Sequence, residues 1–531
     1  NGVLVDFSPT ELAVRVKPEE HSSFLWFRQD EPVTLWLQDE SHTVFSGTCK
    51  CIREGDEGER RVLVLQPGEQ RIQRYPVRRI RNPRRQLVPS PSLAFEHPLL
   101  KRWIQLEVSN LSSSGFCVKE ARDEAVLMPG LILPEVNIQV ADALQLRCKA
   151  QVIYSFPETQ ETLRCGLAIL DMEIADYTRL SHLIASAVDP HAFLSCQVDL
   201  DALWEFFFEA GFIYPKKYSL IHAHKEEFKK TYQKLYMDSP SIARHFTCQR
   251  NGRIYGHIAM VRAYERSWMI HHHAARSSEG RRAGFLVLTH LMHYINDIHR
   301  FPSIDMRYVM SYFRPENRFP KEVFGGFSET LKDPQGCSQD LFAYLPHTSL
   351  SLERGLPEPW SLRGSLEKDL VELNHFYRYR SGGLLLEAMN LGREGSRGES
   401  LFELYKEEGF FRKRSCYSLC HGDQARAIFV LDQSDLGLNL SELLNSIKIF
   451  ILEQEEVPWN ILSMAIGPMT KLYRIQKVPI MFYPAEYMVL HRLPYEKTYE
   501  AWVLDVQHGN AYMEYMQKRF RVGYGEQGGQ K

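Results

Sequence analysis

From Val3 to Leu170 apolar and polar residues alternate with a period close to two, interrupted by short polar turns. A strand sets successive side chains on opposite faces, so such runs predict half-buried strands. The first group lies at Val3–Val5, Leu12–Val16, Phe24–Phe27, Val33–Leu37, Val44–Ile52 and Arg61–Leu65. Strands continue beyond residue 86, and the clearest carries Leu144, Leu146, Cys148, Ala150, Val152 and Tyr154 on one face. Gly166–Leu170 gives a last strand. The period then lengthens, and Tyr177, Leu180, Leu183 and Ile184 mark one side of a helix over Ile174–Ala187.

Past residue 198 the pattern becomes mixed. Leu203, Phe206 and Phe207 open a helix, Phe228–Tyr236 predicts another, and Ile254–Val261 and Trp268–His273 read as strands. Gly284–Ile298 follows as a helix with Leu288, Leu291, Met292 and Ile295 on one stripe, and Ile304, Met306, Tyr308, Met310 and Tyr312 alternate again. Pro346, Pro357 and Pro359 mark a linker over residues 340–360. A second run then places Leu366, Leu370 and Leu373 on a helix, a strand at Ala425–Leu431, and a helical stripe through Leu440, Leu443, Leu444, Ile447, Phe450 and Ile451. Further strands are expected at Ile461–Ile466 and Tyr487–Leu490. The order repeats that of residues 200–340, which predicts two related halves.

With 531 residues the chain should divide into about three or four domains. A hydrophobic fraction of 44% and a charged fraction of 24% are those of a globular protein. No apolar run approaches the length needed to cross a bilayer, and no signal peptide is read. Ten cysteines without a regular framework predict reduced thiols and a cytoplasmic location. Cys49 and Cys51 share a strand face. Cys416 and Cys420-His421 lack a second ligand pair, so no metal site is expected.

The net charge of −2 makes one basic cluster a local feature. Arg71–Arg85 holds seven Arg among fifteen residues and no acid, which calls for an anion. About 25 residues later Asn110-Leu111-Ser112-Ser113-Ser114-Gly115 forms a polar turn into the apolar Phe116-Cys117-Val118. Arg74-x-x-x-Arg78 followed by Asn110-x-Ser112-x-x-Gly115 resembles the paired signature of PilZ domains, bacterial receptors for cyclic di-GMP. The resemblance spans about residues 72–187, and the strands before it resemble the N-terminal barrel of flagellar-brake proteins. It implies that Arg74 and Arg78 bind guanines, that Asn110 and Ser112 complete the site, and that Gly115 shapes its turn. The chemistry is consistent, because an Arg fork reads guanine O6 and N7 together. A basic segment that only contacts nucleic acid is the alternative reading, although no nucleic-acid partner is expected.

The strand, strand, loop, helix, strand order after residue 254 resembles the GNAT acyltransferase fold. Ser277–Gly284 lies where that family receives the coenzyme A pyrophosphate on backbone amides, and Asn317–Phe327 resembles the segment after its next strand. The resemblance implies acyl-CoA binding at Arg281, Arg282, Ala283 and Gly284, since a helix N-terminus favours phosphate. Asp432–Gly437, taken as the corresponding strand-to-helix loop of the second half, has two acids and no Arg, so that half is expected to be structural or to shape a substrate cleft between the halves. Glu265, His257 and His271 are candidate bases and Tyr312 a candidate acid; the catalytic residue is not identified. Of His271-His272-His273, only His271 and His273 should converge on a strand.

The expected architecture is thus multidomain: a β-barrel over 1–70, a PilZ barrel with its Arg-rich linker over 71–190, and an α/β region of GNAT-like halves over 198–346 and 360–520. Two readings of the output module stand: an N-acyltransferase gated by cyclic di-GMP, or a GNAT-like surface for a protein partner in the signalling pathway.

Overall fold

The structure is a computed structural model describing residues 2–17, 31–39, 42–56, 60–68, 84–141, 144–188, 192–194, 198–213, 224–238, 241–250, 252–276, 281–348, 355–392 and 399–520. The Phe24–Phe27 strand, Arg74, Arg78 and Ser277–Gly280 therefore lie outside the described residues. The chain divides into two compact units, Asn1–Pro190 with Asp297–Ile304, and His191–Asn296 with Asp305–Lys531. Among the described residues no helix is long and apolar enough to cross a membrane.

The first unit begins with an antiparallel sheet of β1 (Gly2–Phe7), β2 (Leu12–Val16), β3 (Val33–Gln38), β4 (Thr43–Asp56) and β5 (Arg61–Pro67), ordered β1-β2-β5-β4-β3. The sequence predicts a barrel here, but among the described residues β1 and β3 are edges and the sheet is open. One face supplies the core residues Leu12, Val14, Cys49, Cys51 and Leu65. A closed barrel follows, built from β6 (Ser92–Glu96), β7 (Trp103–Ser112), β8 (Gly115–Ala121), β9 (Ile132–Val140), β10 (Leu144–Pro157) and β11 (Thr162–Asp171). Helix α1 (Ile174–Val188) buries Tyr177, Leu180 and Ile184, as the sequence pattern predicts.

Sheet and barrel are joined at a defined point. Phe45 and Leu131 form a β-bridge, Ser46 N–H donates to the Gly130 carbonyl at 3.0 Å, and Gln151 Nε2 donates to the Ser46 carbonyl at 2.7 Å. Phe45 is fully buried over Gly130, whose φ of +97° and lack of a Cβ allow the approach.

The second unit contains one twelve-stranded sheet. Its first half runs β12 (Ala192–Leu194), α2 (Leu200–Glu209), α3 (Lys225–Gln233), β13 (Ala243–Arg250), β14 (Arg253–Tyr264), β15 (Ser267–Ala275), α4 (Arg281–Ile298), β16 (Tyr308–Phe313) and β17 (Cys337–Thr348). The second runs β18 (Trp360–Gly364), α5 (Glu367–Arg380), β19 (Arg412–His421), β20 (Gln424–Ser434), β21 (Ser446–Ile451), α6 (Trp459–Thr470), β22 (Lys477–Tyr483) and β23 (Lys497–Asp505). In each half three antiparallel strands lead, through a helix, to one parallel pairing: β15 with β16, and β21 with β22. The closing strands are exchanged. β23 pairs with β16 of the first half, β17 pairs with β22 of the second, and β17 and β23 pair with each other from Cys337↔Leu504 to Tyr344↔Lys497. One apolar core accordingly takes Phe207 and Tyr264 from one half and Leu373 and Tyr483 from the other.

Several predicted elements change type. Leu440–Ile451 is no helix: residues 446–451 are β21, buried at all six positions, and a strand buried on both faces shows no period of two. Ile461–Ile466 lies in helix α6, and Tyr487–Leu490 lies in the short helix Glu486–Leu490. The expected linker at 340–360 contains part of β17, whose Pro346 is tolerated within the pairing to β22. Of the run from Ile304 to Tyr312 only Tyr308 onward is strand. Asp432–Ser434 belongs to β20, so the strand-to-helix loop expected at Asp432–Gly437 is misplaced; that of the second half is Leu452–Pro458, which carries three Glu and no Arg.

The junction yields a first prediction. A Cβ at Gly130 would stand 2.6 Å from the Phe45 ring, whereas one at Gly55 meets nothing closer than 3.9 Å. Gly130→Ala should lower unfolding free energy by about 1–3 kcal/mol, through overpacking and a strained positive φ. Gly55→Ala should change it by less than about 0.5 kcal/mol, both read by denaturant unfolding of the full chain.

Candidate functional site

The β7–β8 hairpin shows what each residue of the expected turn does. Ser112 is buried and its hydroxyl donates to the Gly115 carbonyl at 2.9 Å, closing the turn. At Gly115 a Cβ would lie 2.3 Å from the Leu167 carbonyl oxygen, so the pairing of β8 with β11 demands glycine. Asn110 instead reaches outward. Its Oδ1 accepts from Arg84 Nη1 at 3.4 Å, and the same Nη1 donates to Tyr154 Oη at 3.3 Å. Arg85 is fixed by a two-way backbone bridge to Leu111, both bonds at 2.8 Å. The end of the Arg-rich segment is thereby tied to the Asn110 turn. Arg78 precedes Arg84 by six positions, a reach of at most about 20 Å.

Tyr154 corrects the sequence reading. The β10–β11 register shifts between Val152 and Tyr154, and one extra residue turns the side chains after it to the other face. Tyr154 leaves the core face, and its ring stacks with exposed Phe156 at 4.6 Å and 7°. Asn110, Cys117, Gly166 and Tyr154 are successive cross-strand partners over β7, β8, β11 and β10. Arg84 spans this row, and Arg164 Nε lies 3.2 Å from Cys117 Sγ within it. Sequence reasoning missed Tyr154, although Arg84 stood inside the basic run it had singled out.

In the second unit β15 and β16 pair only from Ser267↔Tyr308 to Ile270↔Ser311 and then part. A cavity of about 980 Å³ fills the gap, bordered by His271, Ala274, Ser311, Tyr312, Phe319 and Asn439. Of the expected coenzyme segment, Arg281 and Arg282 begin α4, Ala283 is buried against Gly256, and Gly284 borders the cavity. The segment is thus the first helical turn and not a loop. Arg276, Arg314 and Arg318 also border the cavity, each beside a carboxylate: Glu209, Glu316 and Glu322. The Tyr312 hydroxyl is buried without a hydrogen-bond partner among the described residues. Burial, with Tyr264 and Asp432 nearby, pushes its pKa well above the ordinary tyrosine value, so it keeps its proton and can only be a donor or a neutral acceptor.

The histidines form a different object from the one expected. His272 has φ +53°, and it shares with His273 the place opposite one residue of β14. This bulge sets His271 and His272 side by side, ring centroids 3.9 Å apart, and sends His273 to the Gly284 carbonyl. Asn439 Nδ2 donates to His271 Nδ1 at 2.9 Å, which leaves the ring proton on Nε2 to donate to Tyr236 Oη at 2.8 Å. Leu440 N–H donates to His272 Nε2 at 2.9 Å. His257 donates from Nδ1 to the His272 carbonyl at 2.8 Å and lies 2.9 Å from Tyr232 Oη. Both nitrogens of His257 and His271 are engaged, so neither stands free as a base. Glu265 is not beside this cavity; it sits at the β14–β15 turn, receiving Ser400 Oγ at 2.9 Å and Asn390 Nδ2 at 3.4 Å.

The second half replaces neutral rings by charges. Asp432 accepts from Arg414 Nε at 2.9 Å and Lys448 Nζ at 3.0 Å, with all three side chains nearly or wholly out of solvent. Burial alone would raise the Asp432 pKa, but Arg414, Lys448 and Arg412 outweigh it and hold the carboxylate ionised.

The histidine network sets a pH response. Burial drives His257 well below its ordinary pKa of 6.5, helped by His245, and takes His271 down to about 3. Below pH 6.5 the unfolded chain binds these protons and the folded one does not, so stability is fully present above pH 6.5 and falls as the pH drops toward the folded values. Each such group contributes a slope of up to about 1.4 kcal/mol per pH unit. Unfolding midpoints measured between pH 7.5 and 4.5 should decline in the lower part of this range, and less steeply in His271→Gln.

No protein-family model matches the sequence, and no curated protein matches it. Solved structures that resemble parts of it include the PilZ domain of Escherichia coli YcgR with c-di-GMP, 18% identical over 20% of this chain and 90% of that one, TM-score 0.18. A second is the K. pneumonia MrkH–c-di-GMP complex, 11% identical over 35% of this chain and 81% of that one, TM-score 0.19. A third is a GCN5-related N-acetyltransferase from Sphaerobacter thermophilus, 11% identical over 60% of this chain and 97% of that one, TM-score 0.33. All three TM-scores lie below 0.5.

Proposed function

We propose that the chain is a cyclic di-GMP receptor whose barrel couples nucleotide binding to the GNAT-like sheet. The observation that carries this reading is the Arg85–Leu111 bridge with the Arg84–Asn110 contact, which ties the Arg-rich segment to the second half of the paired motif. In this reading Arg74 and Arg78 grip guanine edges, Asn110 supplies a polar contact, and Ser112 and Gly115 hold the turn. The exposed Phe156, stacked on Tyr154, offers a surface on which a base stacks. A ligand that gathers the Arg side chains favours one arrangement of the Arg71–Arg85 hinge, which is a population shift.

Calorimetric titration of the full chain with cyclic di-GMP tests it. Binding at micromolar or tighter is expected, and Arg74→Ala/Arg78→Ala should weaken it by about 100-fold or more, the loss of two charge-assisted contacts. Equal binding by the variant, or none by the intact chain, overturns the reading. Salt-sensitive DNA binding that cyclic di-GMP leaves untouched would instead favour a nucleic-acid binder.

A second reading, an N-acyltransferase gated by the nucleotide, is favoured by the cavity where β15 and β16 part and by Tyr312 on its border, whose buried hydroxyl has no partner among the described residues. The open ends of two parallel strands can hold an acyl chain, while the α4 N-terminus faces phosphate chemistry. Acetyl-CoA and a long-chain acyl-CoA should then bind the intact chain, and Arg281→Ala/Arg282→Ala should weaken both by about tenfold or more. Tyr312→Phe should leave that affinity within about threefold and lower any acyl transfer by about 10²-fold. Absence of binding with the fold intact excludes the enzyme and leaves a partner-binding surface.

A further inference from the structure

A second cavity, of about 560 Å³, opens at the other end of the β15–β16 pair. The larger cavity takes the ends of these strands beyond Ile270 and Ser311; this one takes their starts, at Arg266, Arg307 and Tyr308. Its walls come from both halves of the sheet, because Arg378 of α5 also borders it.

Charge is unevenly available there. The carboxylates that border the cavity are already engaged. Glu265 receives Ser400 and Asn390, Asp305 is paired with Arg266 at 3.2 Å, and Glu387 accepts the Tyr308 hydroxyl at 2.7 Å. The guanidinium groups keep spare donors. Arg262 spends Nε and Nη2 on the Glu265 carbonyl, at 3.0 and 2.7 Å, and has no bond from Nη1 among the described residues. Arg307 meets Asp505 only at 3.8 Å, and Arg378 has neither hydrogen bond nor ion pair among the described residues. Four Arg stand against three carboxylates around the cavity, a formal excess of one positive charge, and Arg262, Arg307 and Arg378 hold guanidinium donors that no described residue takes up.

We propose that this cavity binds a small polar anion, whose carboxylate or phosphate oxygens are held by the Arg forks. The volume is that of a metabolite-sized site, and planar guanidinium groups match both oxyanions through paired bonds. The site is independent of the nucleotide reading, since none of its residues belongs to the barrel. Its ligand ties α5 of the second half to the starts of β15 and β16, whose far ends border the larger cavity.

The test is calorimetric titration of the full chain with citrate and, separately, with pyrophosphate, using Arg378→Ala and Arg307→Ala beside the intact protein. Unfolding midpoints verify that each variant is folded. At least one titrant should bind saturably, with Kd raised about tenfold or more by each substitution and unchanged in Arg74→Ala/Arg78→Ala. Citrate binding alone identifies a carboxylate ligand, and pyrophosphate binding alone a phosphate. No binding of either titrant, or binding that both cavity variants retain at full strength, overturns the assignment.

Discussion

The backbone ladder between β17 and β23 holds the second unit together. Neither strand closes the half that precedes it in sequence: β23 completes the first half on β16, and β17 completes the second on β22. Each half alone would end at an unpaired edge, with a row of N–H and C=O groups lacking partners. The exchange removes those edges from the middle of the sheet. It also merges two apolar cores, since Phe342, Ala501 and Val503 of the exchanged strands pack with residues from both halves. The two cavities inherit their geometry from this arrangement, because β16 is pinned by β23 on one side and is free to leave β15 on the other.

The halves solve one packing problem with opposite electrostatics. At His257 on β14 and His271 on β15 the first half uses neutral rings that hydrogen-bond to Tyr232, Tyr236 and Asn439. In the second half Arg414, Asp432 and Lys448 stand on β19, β20 and β21 as charges that compensate one another. A neutral network costs little to desolvate and loses stability only when protonated, whereas a buried ion cluster depends on every member being present. The structural work done by His257 and His271 explains why histidines beside a cavity are poor evidence of catalysis here.

What the sequence disclosed depended on periodicity. Helix α1 and strand β2 were legible because one face of each is apolar and the other wet. β21 was not, since burial at every position from Ser446 to Ile451 leaves no alternation, and the apolar spacing around it mimics a helix. Helix α6 carries Pro468 and a short apolar stretch, which reads as readily as a strand. Single-residue irregularities were invisible: the shift before Tyr154 and the positive φ of His272 each re-aim a side chain without any change of composition. At the candidate nucleotide site the types of Asn110, Ser112 and Gly115 were readable from the motif. Their division of labour was not, because it rests on Leu167 and Arg84, which only the fold brings near.

The exchanged strands also bear on how the polypeptide emerges from a ribosome. β16 is complete at Phe313, yet its partner begins at Lys497. At about 5–20 residues per second, the nascent first half waits on the order of ten seconds or more with a bare hydrogen-bonding edge. During that interval β17 has already been made but is committed to a strand that does not yet exist. Two chains growing on one messenger expose the same edge in the same window. The connectivity that gives the finished sheet its continuity therefore makes its synthesis the moment of greatest exposure to mispairing.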